Sequence, residues 1–212
     1  MLHLSQLILN HHNWEVRRDL KSPYDLHRTI ENAFPHDPPR PGERVLFRLD
    51  YQPRAKEWRV LIQSRYAPNW SFFQNEDRRG YLRTEPQVIT FEPRFHKDIL
   101  YRFRLLANPT FKTTNDNGRK VRFSIPSGEK QLEWLSGKLT EAGVTLLDAG
   151  IVQQDVCKSA KKDEGQQTHF AVLFEGVLQV TDPDKLRLAV ESGIGSAKGY
   201  GFGLLSLAPV RG

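Results

Sequence analysis

The pattern of apolar and polar positions in the first half of the chain predicts four strands and at least one helix. The opening segment 2–9 is largely apolar, which is typical of a buried strand. Apolar residues alternate with polar residues along 45–51 and again along 58–62, and the turn between these segments completes a β-hairpin. A further strand is predicted over 87–91, whereas 67–85 contains at best a weakly marked helix. The resulting order is β-α-β-β-(α)-β.

The helix of the first half is marked at its start. Ser22 is a candidate N-cap, Pro23 suits the first helical position, and Asp25 stands three residues after the serine, as in a capping box. The helix is expected to end near Pro35. Its apolar face comprises Leu26, Ile30, Ala33 and Phe34.

The second half repeats the same order of elements more plainly. With 212 residues, of which 38% are hydrophobic, the chain can bury two cores of about 100 residues each. We therefore predict an α+β fold of two tandem ferredoxin-like (RRM-like) βαββαβ domains, one over 1–95 and one over 96–212. The predicted elements of the second domain are strands over 100–106, 151–156, 170–180 and 204–208, with helices beginning after Ser127 and Asp182.

The segment from Gly193 to Gly203 contains five glycines, and Lys198 is its only charged residue. Such a backbone exposes N–H groups and allows positive φ angles, which favours contact with phosphate. A helix C-cap followed by a bulged strand would also use some of these glycines, so both interpretations stay open. A Walker A loop or a Rossmann fingerprint is excluded because no helix or βαβ unit follows. We therefore expect no nucleotide cofactor.

The charge balance indicates an anionic partner. The chain has 31 Lys and Arg against 25 Asp and Glu, a formal net charge of +6, and an isoelectric point of about 9.5. Clustered positive charge favours nucleic acid. A membrane is a poorer candidate, because no apolar run approaches the ~20 residues that span a bilayer and the N-terminus does not resemble a signal sequence. We expect a cytoplasmic protein, in which the single Cys157 forms no internal disulfide.

Candidate chemistry lies on the helix of the first half. Tyr24 and His27 are three residues apart, so their Cβ atoms are about 5 to 6 Å from each other beside the apolar face. Histidine transfers protons near neutral pH. A histidine at such a border is also commonly a partly buried surface residue, and a tyrosine in a first turn often only packs. The other histidines lack the spacing of metal ligands, so no metal site is expected. The flanking cations are Arg17, Arg18, Lys21 and Arg28.

Four separated segments carry a family resemblance. They are RRDLKSPYDLHR at 17–28, YRFRLLANP at 101–109, FEGVL at 174–178 and GIGSAKGYGFGLLSLAP at 193–209. In this order they resemble the CasE family, the CRISPR repeat-cleaving endoribonucleases of type I-E Cascade systems.

The resemblance implies metal-independent cleavage of precursor CRISPR RNA at the base of the repeat stem-loop. In that reaction a 2′-hydroxyl attacks the adjacent phosphorus and leaves a 2′,3′-cyclic phosphate and a 5′-hydroxyl. His27 would be the general acid or base, and Tyr24 would orient the phosphate or assist proton transfer. The resemblance also implies that the protein stays on the processed guide RNA together with other Cascade subunits.

RNA binding is expected from two further groups of residues. The family sets a basic hairpin of the second domain against the RNA stem, and the matching residues here are Lys158, Lys161 and Lys162. A solvated charged turn is the alternative, because Asp163 and Glu164 follow directly. A non-catalytic RNA-binding subunit would keep this basic surface and be indifferent to the loss of His27. The glycine-rich segment would hold phosphates through Gly195, Ser196, Lys198 and Gly199.

Overall fold

The computed structural model describes residues 1–35, 44–114, 118–161 and 165–210, with the side chains of 158–161 and 165–168 outside the description. The chain divides into two compact units. Unit 1 takes Met1–Pro93 together with Ser159–Gln167 and Gly199–Gly201. Unit 2 takes Arg94–Lys158, Thr168–Lys198 and the chain from Phe202 onward. Three residues of the glycine-rich segment therefore pack with the first half of the chain.

Unit 1 contains the predicted order of elements around one four-stranded antiparallel sheet. Its strands lie in the order β2-β3-β1-β4, which is the order of a ferredoxin-like unit. The strands are β1 (Leu2–Leu9), β2 (Leu46–Gln52), β3 (Glu57–Ser64) and β4 (Gln87–Phe91), and the helices are α1 (Trp14–Lys21) and α2 (Pro23–Glu31).

Two short 3-10 turns, Trp70–Gln74 and Glu76–Arg78, occupy the position of the second helix of unit 1. The segment with the weak helical pattern therefore forms 3-10 turns and no α-helix. Trp70 and Phe73 are buried, and Trp70 Nε1 donates a hydrogen bond to Ser5 Oγ on β1 at 3.2 Å. These aromatic side chains cover the sheet in place of a helical face.

The helix α2 begins as predicted. The Ser22 Oγ accepts a hydrogen bond from the Asp25 N–H at 3.2 Å, and Pro23 occupies the first turn. The helix ends at Glu31, earlier than predicted, because the amides of Ala33 and Phe34 bond to carbonyls three residues back and tighten the last turn. The predicted apolar face is buried in the core of unit 1.

Asp19 on α1 fixes α2 in place. The carboxylate is 1% exposed and accepts hydrogen bonds from Thr29 Oγ1 on α2 and from the Tyr81 hydroxyl, both at 2.7 Å. Arg18 Nη2 donates to the same carboxylate at 2.8 Å. Burial, reinforced by the adjacent Asp19 charge, raises the pKa of Tyr81, which keeps its hydroxyl a donor. Buried polar groups with satisfied partners of this kind specify one packing arrangement.

Unit 2 has the same strand order around its own antiparallel sheet, β10-β5-β9-β8. The prediction of tandem ferredoxin-like units is confirmed by the repeated order. Of the helices in the described ranges, none is long and apolar enough to span a bilayer. The elements are β5 (Leu100–Ala107), β6 (Thr110–Thr114), β7 (Lys120–Ser124), α3 (Gly128–Glu141), β8 (Val144–Lys161), β9 (Gly165–Val180), α4 (Pro183–Ser192) and β10 (Leu205–Pro209).

Three features of unit 2 differ from the prediction. The strand β8 begins at Val144, before its predicted start at 151. The strands β8 and β9 extend well into the segment that was predicted to join them. Between β5 and α3, the sequence did not predict β6 and β7, which pair as a separate two-stranded sheet. This hairpin is an addition to the ferredoxin-like order.

Candidate active site

The imidazole of His27 lies at the edge of the core of unit 1. Its side chain is 20% exposed, and its ring stacks on Phe47 of β2 with ring centroids 5.9 Å apart. Nδ1 is buried and has no hydrogen-bond partner among the described residues. Nε2 lies 3.0 Å from Glu31 Oε1. Nε2 is therefore the ring nitrogen placed to exchange a proton with another group.

Burial sets the protonation of this histidine. Desolvation lowers the pKa of His27 below its ordinary value, and the Glu31 carboxylate opposes part of that effect. The imidazole is consequently held in its neutral form at neutral pH. A carboxylate only accepts hydrogen bonds, so Nε2 of a neutral ring that keeps the Glu31 contact carries the hydrogen. Nε2 can accept a proton once a bound group displaces Glu31 and the ring takes the other tautomer, and at lower pH the protonated ring can donate one.

Gly199, which belongs to unit 1, lies against this ring. A Cβ atom placed on Gly199 would lie 3.3 Å from His27 Nε2. Gly201 has φ +86°, and a Cβ there would lie 3.0 Å from the Phe47 ring. Both contacts lie within unit 1. The absence of side chains at these two positions lets the backbone approach the histidine and the aromatic ring that supports it.

Two tyrosine rings lie near each other at this end of α2. Tyr24, one turn before His27 on α2, is half-buried, and its ring centroid is 6.5 Å from that of Tyr200. Tyr200 belongs to the 3-10 turn Lys198–Tyr200. Tyr24 and His27 therefore lie next to two consecutive residues, Tyr200 and Gly199 respectively.

The predicted cations of the first half have different surroundings. The residues Arg17, Lys21 and Arg28 are exposed on α1 and α2. Arg18 forms an ion pair with buried Asp19 at 2.8 Å, and its guanidinium lies 5.6 Å from the Trp14 ring centroid. Arg18 therefore has a structural role in unit 1 in addition to any contact with a ligand.

Other predicted residues lie in unit 2 or outside the description. Lys198 Nζ donates to the Ser192 carbonyl at 2.7 Å, and Ser196 Oγ donates to the Asn108 carbonyl at 3.3 Å. Gly195 has φ +84° and packs against Trp134. The amine of Lys198 therefore supports the C-terminus of α4 in this structure. The side chains of Lys158 and Lys161, and the whole of Lys162, lie outside the described residues.

Sequence reasoning missed three residues of this site, namely two neighbours of His27 and one of Tyr24. Glu31 could have been found, because residues four apart share a helix face. The other two, Phe47 and Tyr200, meet His27 or Tyr24 through long-range packing, for which the sequence offered no local signal. The assembled site combines a neutral imidazole, a carboxylate, two phenols and a backbone segment without side chains, which suits proton transfer at a bound phosphate ester.

Comparison with known proteins gives consistent results. A family model described as CRISPR associated protein matches residues 2–209. The chain is 33% identical to the CRISPR-associated endoribonuclease Cse3 of Thermus thermophilus, over 97% of this chain and 99% of that protein. It is 30% identical to the CRISPR system Cascade subunit CasE of Escherichia coli, over 91% and 94%. A structure of Thermus thermophilus Cse3 bound to an RNA representing a pre-cleavage complex superposes with a TM-score of 0.83, 31% identity and coverage of 98% and 99%.

Proposed function

The chain belongs to the family of CRISPR-associated proteins, and we propose that it is an endoribonuclease that binds the CRISPR repeat stem-loop and cleaves precursor CRISPR RNA. The observation that carries this proposal is the placement of the His27 imidazole on α2, with the backbone of Gly199 so close that a Cβ there would lie 3.3 Å from Nε2. Relatives that match nearly the whole chain are named an endoribonuclease and a Cascade subunit.

The reaction follows from the chemistry of RNA. The 2′-oxygen of the nucleotide before the cut forms a bond to the adjacent phosphorus, and the bond from phosphorus to the 5′-oxygen breaks. The products are a 2′,3′-cyclic phosphate and a 5′-hydroxyl. One proton leaves the 2′-oxygen and one is delivered to the 5′-oxygen. His27 Nε2 carries out one of these two transfers, and Tyr24 orients the phosphate.

Binding depends on a wider set of residues than the chemistry does. The exposed Arg17, Lys21 and Arg28 attract the phosphate backbone near α2. The groove that carries most base information in DNA is deep and narrow in A-form RNA, so shape and backbone contacts dominate recognition of the stem. The same proposal assigns stem or phosphate contacts to Arg18, Lys158, Lys161, Lys162, Gly195, Ser196, Lys198 and Gly199.

The proposal includes the fate of the product. After cleavage the protein stays on the guide RNA and joins other Cascade subunits, as expected of a relative of a Cascade subunit. The proposal also places the protein in the cytoplasm, where its transcript is made.

Cleavage without metal tests the proposed function. We expect the purified protein to cut its repeat RNA in excess EDTA, because the proton transfers use side chains of the protein. End-group analysis should find a 2′,3′-cyclic phosphate on one product and a 5′-hydroxyl on the other. A substrate with a 2′-deoxy nucleotide at the cut should bind and stay intact. Cleavage of the deoxy substrate, or a requirement for added metal, would contradict the mechanism.

Glu31 has a separate role as a positioning residue in this proposal. Its carboxylate is half-exposed and lies 3.0 Å from the ring nitrogen that would act on the RNA. It orients the imidazole and raises the pKa of His27 against the effect of burial. Because a bound phosphate approaches the same nitrogen, Glu31 also disfavours anions at the site until the RNA supplies enough contacts.

Changing Glu31→Gln should shift the pH dependence of cleavage. Without the carboxylate, the pKa of His27 falls further, so the limb of the single-turnover rate profile that reports His27 moves to lower pH. The profile also identifies the role of His27. If the cleavage rate rises as the pH increases through the pKa of His27, His27 acts as the general base. If the rate falls over the same range, His27 acts as the general acid. Glu129→Gln on the exposed surface of α3 is the control and should leave the pH profile unchanged. If Glu31→Gln does not shift the limb, Glu31 does not tune the pKa of His27.

A further inference from the structure

Trp14, the first residue of α1, presents its indole to solvent. The residue is 62% exposed, although its side chain is large and mostly apolar. A single exposed apolar residue is ordinary on a protein surface. Trp14 differs from such a residue in two respects, namely the support of its ring and the charge of the helix face on which it lies.

The indole of Trp14 is supported from within unit 1. The Arg18 guanidinium lies 5.6 Å from the centroid of the Trp14 ring, a cation–π contact. The same guanidinium donates two hydrogen bonds to Asp19 Oδ1, at 2.8 and 2.9 Å, and Asp19 is 1% exposed. The buried carboxylate thus fixes the guanidinium that packs on the indole. An aromatic side chain restrained in this way loses little conformational entropy when a ligand stacks on it.

The exposed face of α1 carries positive charge only. Residues three, four and seven apart on a helix share a face. At these spacings Trp14 is followed by three exposed cations, Arg17, Arg18 and Lys21. The two acidic residues of the helix, Glu15 and Asp19, are buried on its other side. The surface of α1 therefore combines an exposed indole with a row of cations.

Single-stranded RNA has the chemistry that fits this surface. Its phosphates are attracted by a row of cations, and its unpaired bases offer flat faces that stack on an aromatic ring. An acidic segment of a protein would engage the cations alone. The combination of an indole with cations on one helix face therefore favours a nucleic-acid strand over an acidic peptide.

The helix α1 leads directly into the helix that carries the candidate active site. Only Ser22 separates Lys21 from α2, and Tyr24 follows three residues after Lys21. From Lys21 the exposed face of α1 extends about 10 Å to Trp14, at a rise of about 1.5 Å per residue. An RNA strand that leaves the active site along α1 therefore passes Lys21 and Arg17 before it reaches Trp14.

We propose that Trp14 stacks on an unpaired base of the RNA strand that continues beyond the cut, and that Arg17 and Lys21 hold the phosphates of this strand. This inference rests on the proposed function, which supplies the RNA. The cut lies at the base of the stem, so the nucleotides on the stem side are paired. Bases in a duplex are already stacked on their neighbours and cannot lie on an aromatic side chain. Trp14 therefore distinguishes the precursor, which has this strand, from the product, which ends at the cut.

The test compares two RNAs on the full-length protein. The long RNA contains the stem, a 2′-deoxy nucleotide at the cut and the single strand beyond it, and the short RNA ends at the cut. Trp14→Leu keeps an apolar side chain and removes the aromatic face. We expect its Kd for the long RNA to rise about 10-fold, because stacking of a base on an aromatic side chain contributes that order of affinity. Its Kd for the short RNA should stay that of the wild type.

Two control variants accompany Trp14→Leu. Trp14→Phe keeps an aromatic face and should retain most of the affinity for the long RNA. Tyr51→Leu removes another exposed aromatic side chain of unit 1, on β2, and should bind both RNAs as the wild type does. These controls separate stacking at Trp14 from a general loss of aromatic surface.

An abasic nucleotide identifies the base that stacks. Placed at each of the first unpaired positions beyond the cut in turn, it should weaken binding by the wild type at one position. At that position it should weaken binding by Trp14→Leu no further, because the contact is already lost. Independent, additive losses would overturn the inference.

Three other results would decide against the inference or its premise. Equal affinity of Trp14→Leu and the wild type for the long RNA overturns it, and so does an equal loss for both RNAs, since the short RNA lacks the strand in question. Intact RNA binding by Trp14→Leu combined with failure to join other Cascade subunits also overturns it, because Trp14 would then contact protein. If the wild type binds neither RNA and does not cut the unmodified repeat, the proposed function itself fails.

Discussion

His27→Ala is expected to lower the single-turnover rate of repeat cleavage by about 10² to 10⁴-fold, the usual contribution of a positioned general acid or base. Nε2 is the ring nitrogen available for this transfer, since Nδ1 is buried against unit 1. The affinity for repeat RNA should change by less than about twofold, because phosphate contacts from many cations dominate binding. Catalysis and binding are therefore separable in this variant.

The measurement is a single-turnover assay with saturating protein, combined with a binding isotherm on the uncleavable 2′-deoxy substrate. His96→Ala is the matched control, because His96 is exposed and distant in sequence from α2. It should cleave as the wild type does. Undiminished cleavage by His27→Ala would withdraw the site assignment and favour a non-catalytic role for this histidine. A parallel loss of binding and cleavage would indicate that the change disturbs unit 1.

The elements that the sequence predicted well carry several apolar residues within a short segment. The strand β1 and the edge strand β4 have the predicted bounds, and α2 begins at its predicted cap. The short helix α1 was missed because its buried residues include two acids, Glu15 and Asp19, which give no apolar stripe. Their burial depends on partners elsewhere in unit 1, which a local pattern does not contain.

The β6–β7 hairpin was missed for a related reason. Phe111 is the only apolar residue among the five of β6, so the alternation of apolar and polar residues that predicts a strand is absent. In the candidate site, too, the sequence predicted the local features and missed a long-range contact. The spacing of Tyr24 and His27 was readable, and Glu31 falls at the next helical position on that face. The approach of Gly199 to His27 joins residues 172 positions apart, and such long-range packing has no signature in a single local pattern.

This long-range approach makes Gly199 the second position where a large effect is expected. A Cβ at this position would lie 3.3 Å from His27 Nε2 and 3.5 Å from Cδ2. Gly199 is not among the glycines with positive φ, so a larger residue meets no strain in its own backbone. The cost of substitution is instead a clash with the imidazole, which stacks on Phe47 and cannot move inward.

Gly199→Val should therefore slow single-turnover cleavage by about 10²-fold, since a displacement of about 1 Å in a catalytic group can cost this much. The cleavage rate of Gly199→Ala should lie between those of the valine variant and the wild type, because one methyl group requires a smaller shift of the imidazole.

Gly150→Val is the matched control. Gly150 lies on β8, has no positive φ, and a Cβ there would meet nothing within 4 Å. If Gly199→Val and Gly150→Val cleave equally fast, the imidazole does not depend on this backbone segment. A graded loss confined to Gly199, with unchanged RNA binding, requires that the segment set the position of Nε2, because a phosphate contact alone would also lower affinity.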